Sequence, residues 1–312
     1  MLPSTQAEAS RKSVLSTDIL LPSIHLFSLA NPSTLPLLVK FIKASSTNPL
    51  VVSKPIRWII RPESIDPSSL LEPRWDLLLI LEDNQASKDL VSSFFSAQPY
   101  APKADRNDSF SIKHHWTTTA GVPSRLTKDF QTKTNPALLH PAAGSTPALT
   151  GALDDPLLNS TSQDLSLSSE LQSWIGKTES SLPVHGAVSM LNFLSFKPGM
   201  KSSYLKYGAA FAETIGAKRG GNAKLVGNIV HADAASSKKE EKEGVWHEFA
   251  LAHYPSLLHF ADMLASKDYQ EVNQKYRVPA LGDTCILCTS ELEIEQIVEK
   301  LEKEGGQSKA KL

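Results

Sequence analysis

One order of elements occurs twice along this chain. From Ser23 it reads strand, helix, strand, strand, helix, strand, and after a break the same six return. In the first pass SIHLFSLA is a strand-length apolar run, followed by NPSTLPLLVKFIKAS. There Asn31 is placed to cap, Pro32 fits the first helical position, and Leu35, Leu38, Val39 and Ile42 fall at helical spacing. KPIRWIIRP and RWDLLLILED are the second and third strands, ASKDLVSSFFS the second helix, FSIKHHWTTT the last strand. In the second pass VSMLNFLSF, AKLVGNIVHA, VWHEFALAHY and DTCILCTSEL are strands. KSSYLKYGAAFAETI and SLLHFADMLASKDYQEVNQKY are the helices.

Such a unit leaves a four-stranded antiparallel sheet with helices on one face and an apolar face bare. A bare face cannot remain in water, and two such units in one chain can cover each other. The expected fold class is therefore α+β: two ferredoxin-like βαββαβ domains packed sheet to sheet as an intrachain pseudo-dimer, an α/β barrel. The expected boundaries are a disordered N-terminus over 1–20, a more degenerate domain over 21–133 and a linker over 134–182. A second domain over 183–292 and a helical tail over 293–312 complete the chain. The linker is dense in Pro, Gly, Ser and Thr, yet Leu165, Leu167, Leu171, Trp174 and Ile175 are too apolar for water, so part of it packs. Arg74-Trp75-Asp76 opens the third strand of the first half as Val245-Trp246-His247 opens it in the second. Tryptophan at that point reads as an anchor at the end of the barrel.

Lys plus Arg number 32 against 33 Asp plus Glu, so no broad field draws in nucleic acid or an anionic membrane. No apolar run reaches the roughly 18 residues of a membrane span, and the N-terminus has no signal-type apolar segment. Cys285 and Cys288 project to opposite faces of one strand and lack a second pair, so they read as buried thiols of a reducing compartment. The terminal Ala310-Lys311-Leu312 has the small-basic-Leu pattern of a peroxisomal import signal, so an import receptor is an expected partner. Peroxisome is the expected location, with cytoplasm as the alternative.

MLNFLSFKPG, YLKYG, RGGNAKLVG, WHEFALAHYPS, FADML, DYQ, YRVPALGDT and ILCTS stand in this order in the second half. This series resembles a small, mostly uncharacterised family of the dimeric α/β-barrel superfamily. The resemblance spans about a third of the chain. It implies the fold, and it leaves the chemistry open, because that superfamily holds cofactor-free oxygenases, decarboxylases, cyclases, isomerases, haem enzymes and domains without known activity. Where the family has Asp after the Trp, this chain has His247.

Alternation puts His247, Phe249, Leu251 and His253 on one strand face and Trp246, Glu248, Ala250 and Ala252 on the other. Small alanines suit close helix packing, so the histidine face is expected to look into the barrel, where the wide space is either filled by side chains or holds a ligand. His247, Glu248 and His253 are the candidate catalytic residues, as acids or bases. Asn192, the one polar side chain in an apolar strand, with Tyr204 and Trp246, is a candidate for binding substrate. Structural alternatives stand beside each: a satisfied core histidine, a Glu paired with a cation, an Asn tying down backbone, an aromatic in the core. RGGN lacks the context of a dinucleotide site and reads as a helix-ending turn; KKEEKEG reads as a solvated insertion. His114 and His115 point apart, and no metal is expected; nor is haem, for which His231, His253 and His259 offer no pattern.

The expected function is cofactor-free proton transfer, of an isomerase, cyclase or decarboxylase type, on a small apolar organic acid or polyketide-like ligand. The alternatives are a non-catalytic binding or scaffold protein with a filled barrel, and a cofactor-free monooxygenase.

Overall fold

The computed structural model describes residues 19–96, 109–177, 182–230 and 243–309. Eight strands build its barrel: β1 Ser23–Leu29, β2 Val51–Ile60, β3 Leu77–Leu81, β4 Ile112–Pro123, β5 Val188–Phe196, β6 Asn222–Val230, β7 Glu248–Tyr254 and β8 Leu281–Ser290. The first four pair in the order β4-β1-β3-β2 and the last four in the order β8-β5-β7-β6. Each set is thus the same ferredoxin-like sheet. β2 joins β8 and β6 joins β4, both antiparallel, so the two sheets share their edges and close into one barrel with no free edge. A short strand, Ile19–Leu20, lies against the end of β4.

Alternation sorts side chains inward and outward. Ile24, Leu26, Leu78, Ile80, Leu191, Phe193, Phe249, Leu251, Cys285 and Leu287 fill the lumen as one apolar cluster drawn from both halves. Removing a Leu or Phe side chain from water contributes roughly 1.5–3 kcal/mol, so this shared cluster holds the halves together. β3 and β7 run parallel, and Trp75 and Trp246 therefore stand at the same end, both buried in the cluster. The opposite end is closed by Lys224, whose Nζ meets Glu291 and donates to Asn135 Oδ1 at 2.8 Å; Asn135 Nδ2 donates to Glu291 at 2.7 Å. Removing one member of this buried triangle would strand the others.

Helices cover the outer faces. α1 Leu35–Ala44 and α2 Gln85–Ser96 lie on the first half, α3 Lys201–Ala210, α4 Leu257–Ala265 and α5 Lys267–Val272 on the second. The expected single second helix is broken at Ser266, whose backbone is extended (φ −88°, ψ 142°), so α4 and α5 are separate. Asn31 caps as expected, its Oδ1 accepting from Ser33 N at 3.1 Å, although the first turn is 3-10 and α1 begins at Leu35. The tail helix, α6 Leu292–Lys309, crosses back to the first half, where Ile294 joins the core of α1 and Lys43 pairs with Glu302 at 3.1 Å. Ala310-Lys311-Leu312, the first 18 residues and most of KKEEKEG lie outside the described residues.

The segment read as a linker is packed. Leu165, Leu167, Leu171 and Ile175 are buried against α4, and Asp262 accepts from Thr150 N, Thr150 Oγ1 and Ala152 N. Arg219 of the RGGN turn, 2% exposed, holds Asp262 and Asp268 at 3.1 and 3.0 Å. Gly220 carries φ +71°, as a helix-ending turn requires.

Barrel closure depends on close approach at the β4–β6 seam. A Cβ built on Gly227 would lie 2.7 Å from Gly121 O and 2.9 Å from Val122 Cγ2. Gly227→Ala is expected to lower stability by about 1–3 kcal/mol in thermal or urea unfolding. Gly282→Ala, with its nearest neighbour at 3.8 Å, serves as the neutral control. An undisturbed Gly227→Ala melt would show that the seam is not tight.

Candidate active site

The tryptophan anchors align the halves residue by residue. Leu77, Leu79 and Leu81 on the outer face of β3 correspond to Glu248, Ala250 and Ala252 on β7. The first half packs those leucines against α1 and α2. In the second half the small residues leave space, enlarged by Ala223 of β6 and by Gly208 and Ala212 overhead. The result is a cavity of about 230 Å³ between the sheet and α3. A Cβ at Gly208 meets nothing within 4 Å, so the helix there stands clear of its surroundings. Leu205, 59% exposed, lies at the mouth.

The histidine face looks inward, as Phe249 and Leu251 show, into a lumen packed with apolar side chains from both halves. The alanine face, expected to meet helices closely, is where the cavity opens.

Glu248, Asn192 and Tyr204 come together around it. Glu248 is 8% exposed and has neither hydrogen bond nor ion pair among the described residues. Burial pushes its carboxyl pKa up to about 7, with Lys201 acting in the other direction. Asn192 Nδ2 donates to Met190 O at 2.8 Å and to Ala250 O at 3.3 Å. Both amide hydrogens are thus committed to backbone, and only Oδ1 can face a ligand. Asn192 is an acceptor here, not the carbonyl-polarising donor its position in the sequence invites. Tyr204 has no hydrogen-bond partner among the described residues, and burial, then Tyr207, raises its hydroxyl pKa well above the ordinary value. It is a neutral donor. Tyr207 and Tyr269 bond each other at 3.2 Å, and Tyr254 donates to Met263 Sδ at 3.7 Å.

His247, His253 and Trp246 stand apart from the cavity. His247 precedes β7, so strand alternation does not extend to it or to Trp246, which packs on Phe193 at the lumen end. Its N donates to Leu194 O at 2.8 Å, and its Nδ1 accepts from Phe196 N at 2.9 Å. In the first half Asp76 N donates to Phe27 O at 2.8 Å, and Asp76 Oδ2 accepts from Leu29 N at 2.8 Å. The imidazole therefore does the work of the carboxylate, holding the end of β5 as Asp76 holds the end of β1. That bond requires an unprotonated Nδ1. His253 is 2% exposed, its Nδ1 has no partner, and burial, then Lys224 and His259, lower its pKa to about 3. It stays neutral at working pH.

Among the described residues no cluster of three or more His, Cys, Asp or Glu is arranged to hold a metal. His115 does lie against a partner, His25, with Nε2 and Nδ1 2.9 Å apart, while His114 is exposed. Sequence reasoning missed Gly208, Ala250, Ala252 and Tyr254 as cavity residues. Aligning the halves on Trp75 and Trp246 would have found the two alanines, because leucines stand opposite them.

No family model matches the sequence, and no curated protein matches it. Among solved structures the chain is similar to a protein of unknown function from Rhodopseudomonas palustris, 19% identical, covering 39% of this chain and 91% of that one, with a TM-score of 0.31. It is also similar to a chlorite dismutase from Candidatus Nitrospira defluvii, 10% identical, covering 90% of this chain and 94% of that one, with a TM-score of 0.34. No residue role is taken from either.

The Glu248 environment has a measurable sign. An acid whose pKa rises on folding favours the folded state below its ordinary value of 4.5, and that contribution is lost as pH rises through about 7. Above it the buried carboxylate costs about 3 kcal/mol. Glu248→Gln should therefore melt several degrees higher than the parent at pH 8, with the gap closing toward pH 4.5. A gap independent of pH would mean that Glu248 is solvated.

Proposed function

We propose that the cavity beside α3 is a cofactor-free proton-transfer site for a small organic acid or polyketide-like compound. One observation carries this reading: a buried carboxyl, its pKa pushed up to about 7 and its oxygens without a hydrogen bond or ion pair among the described residues, in the wall of a mostly apolar cavity. A general base works best when its pKa lies near the operating pH. Glu248 takes a proton from a carbon next to a carbonyl; the C–H electron pair moves into the enolate, and its charge settles on the carbonyl oxygen. Tyr204 donates to that oxygen, and neutral Glu248 returns the proton at a second carbon or at the same one. Isomerisation and cyclisation both use this step; a decarboxylation reaches the same enolate by losing CO2, the C–C electron pair moving into it, and takes only the returned proton from neutral Glu248. The volume, below the roughly 300 Å³ at which ligand pockets commonly begin, favours a small substrate.

A binding-only role would use the same cavity without turnover. Exchange of substrate hydrogen for deuterium separates the two, since it records proton transfer whatever the product. In heavy water, with small keto acids and diketones followed by proton NMR, the parent protein should accelerate exchange, with a rate rising through pH 7. Glu248→Gln should lose about 100-fold or more, and Ala250→Leu, which restores the leucine of the first half, should lose exchange while remaining folded. Exchange at the parent rate in Glu248→Gln would remove Glu248 as the base.

The matched topology and the matched Asp76 and His247 contacts support descent of the halves from one duplicated unit. The terminal Ala310-Lys311-Leu312 supports delivery to peroxisomes. A fluorescent fusion at the N-terminus should collect in peroxisomes, and removal of the last three residues should leave it in the cytosol. A punctate pattern unaffected by that removal would refute the signal.

A further inference from the structure

Arg277 is a buried charge whose counter-ion is absent from the described protein. It ends the π-helical turn Asn273–Arg277, which packs along α3, and it is 2% exposed. Its Nη2 reaches Thr284 Oγ1 at 3.4 Å, a long contact, and it forms no ion pair among the described residues. The other deeply buried cations are treated differently. Arg219 has Asp262 and Asp268, and Lys224 has Glu291 and Asn135. A buried cation without a counter-charge is strongly unfavourable.

Its position ties it to the cavity. Thr284 shares the outer face of β8 with Ile286, which lines the cavity, two residues or about 7 Å further along. Thr284 pairs with Leu194 where Ile286 pairs with Asn192. Four phenols lie within its field, Tyr204, Tyr207, Tyr254 and Tyr269, and the first three line the cavity. The other charged groups near these phenols are Glu248 in the wall and, beyond it, Lys201.

Resting on the proton-transfer reading, we propose that Arg277 is a positioning residue of this cavity. With its charge acting on the Tyr204 and Tyr207 hydroxyls, it makes the site selective for ligands with an oxygen that is ionised or ionises on reaction: a carboxylate, an enolate or a phenolate. The guanidinium polarises the hydroxyls, which donate to the ligand oxygen. When Glu248 accepts a proton its charge disappears and an equal charge arises on the substrate oxygen. The reaction thus moves negative charge from an unpartnered carboxylate to the neighbourhood of an unpartnered cation.

Para-nitrophenol tests this in the full-length protein, because its neutral and ionised forms absorb at different wavelengths. Below its own pKa, the phenol bound to the parent protein should be ionised about tenfold more than in solution. Arg277→Met should bind it with that enrichment gone, Arg277→Lys should recover part of it, and Ala250→Leu should not bind it. A bound phenol no more ionised than the free one, measured on the parent alone, overturns the role of Arg277 even if the variants fail to fold. Unchanged enrichment in Arg277→Met does the same, leaving the cavity intact. Failure of the parent to bind the probe, or equal binding by Ala250→Leu, removes the cavity reading and this inference with it.

Discussion

Two apolar sheet faces that exclude water from each other are the constraint on which this molecule rests. Each βαββαβ unit covers only one face of its sheet with helices; the other, carrying Leu26, Leu78 and Ile80 in one half and Leu191, Phe249 and Leu287 in the other, has no cover except its counterpart. Closure through β2–β8 and β4–β6 satisfies the edge hydrogen bonds as well. Apolar side chains from both halves pack the lumen, and the cavity beside Glu248 opens on an outer face. On the outer faces, each half has its own layer of helices.

The outer faces are where the halves differ. Leucines on β3 stand where β7 has Glu248, Ala250 and Ala252, and His25 of β1 stands where β5 has Asn192. One face is closed by packing, the other is open and holds a carboxyl. The same frame contact is made by chemically different groups: Asp76 and His247 accept equivalent backbone hydrogen bonds. Histidine substitutes for the carboxylate there because an unprotonated ring nitrogen is also an acceptor, although it lacks the charge.

Buried charges within the second half are of two kinds. Arg219 and Lys224 are enclosed by acids and fasten loops and strand ends, and His253 is held neutral by burial, its pKa lowered to about 3. Glu248 and Arg277 are the exceptions, a buried acid and a buried cation that form no ion pair among the described residues.

The sequence determined the architecture, because periods of two and 3.6 residues, an Asn-Pro cap and a repeated Trp are local signals of what must be buried. It marked Glu248 and Asn192 as unusual, since a polar group on an apolar strand is visible without coordinates. Tertiary structure decided which face held the space. Alanines on a strand permit close helix packing or a void equally well, and only the stand-off of α3 at Gly208 made it a void. It also decided that His247 caps a strand, that Asn192 has spent both hydrogens on backbone carbonyls, and that Arg277 has no ion pair among the described residues. Those outcomes depend on which distant groups come within about 3 Å, a matter of three-dimensional packing that spacing along a strand does not encode.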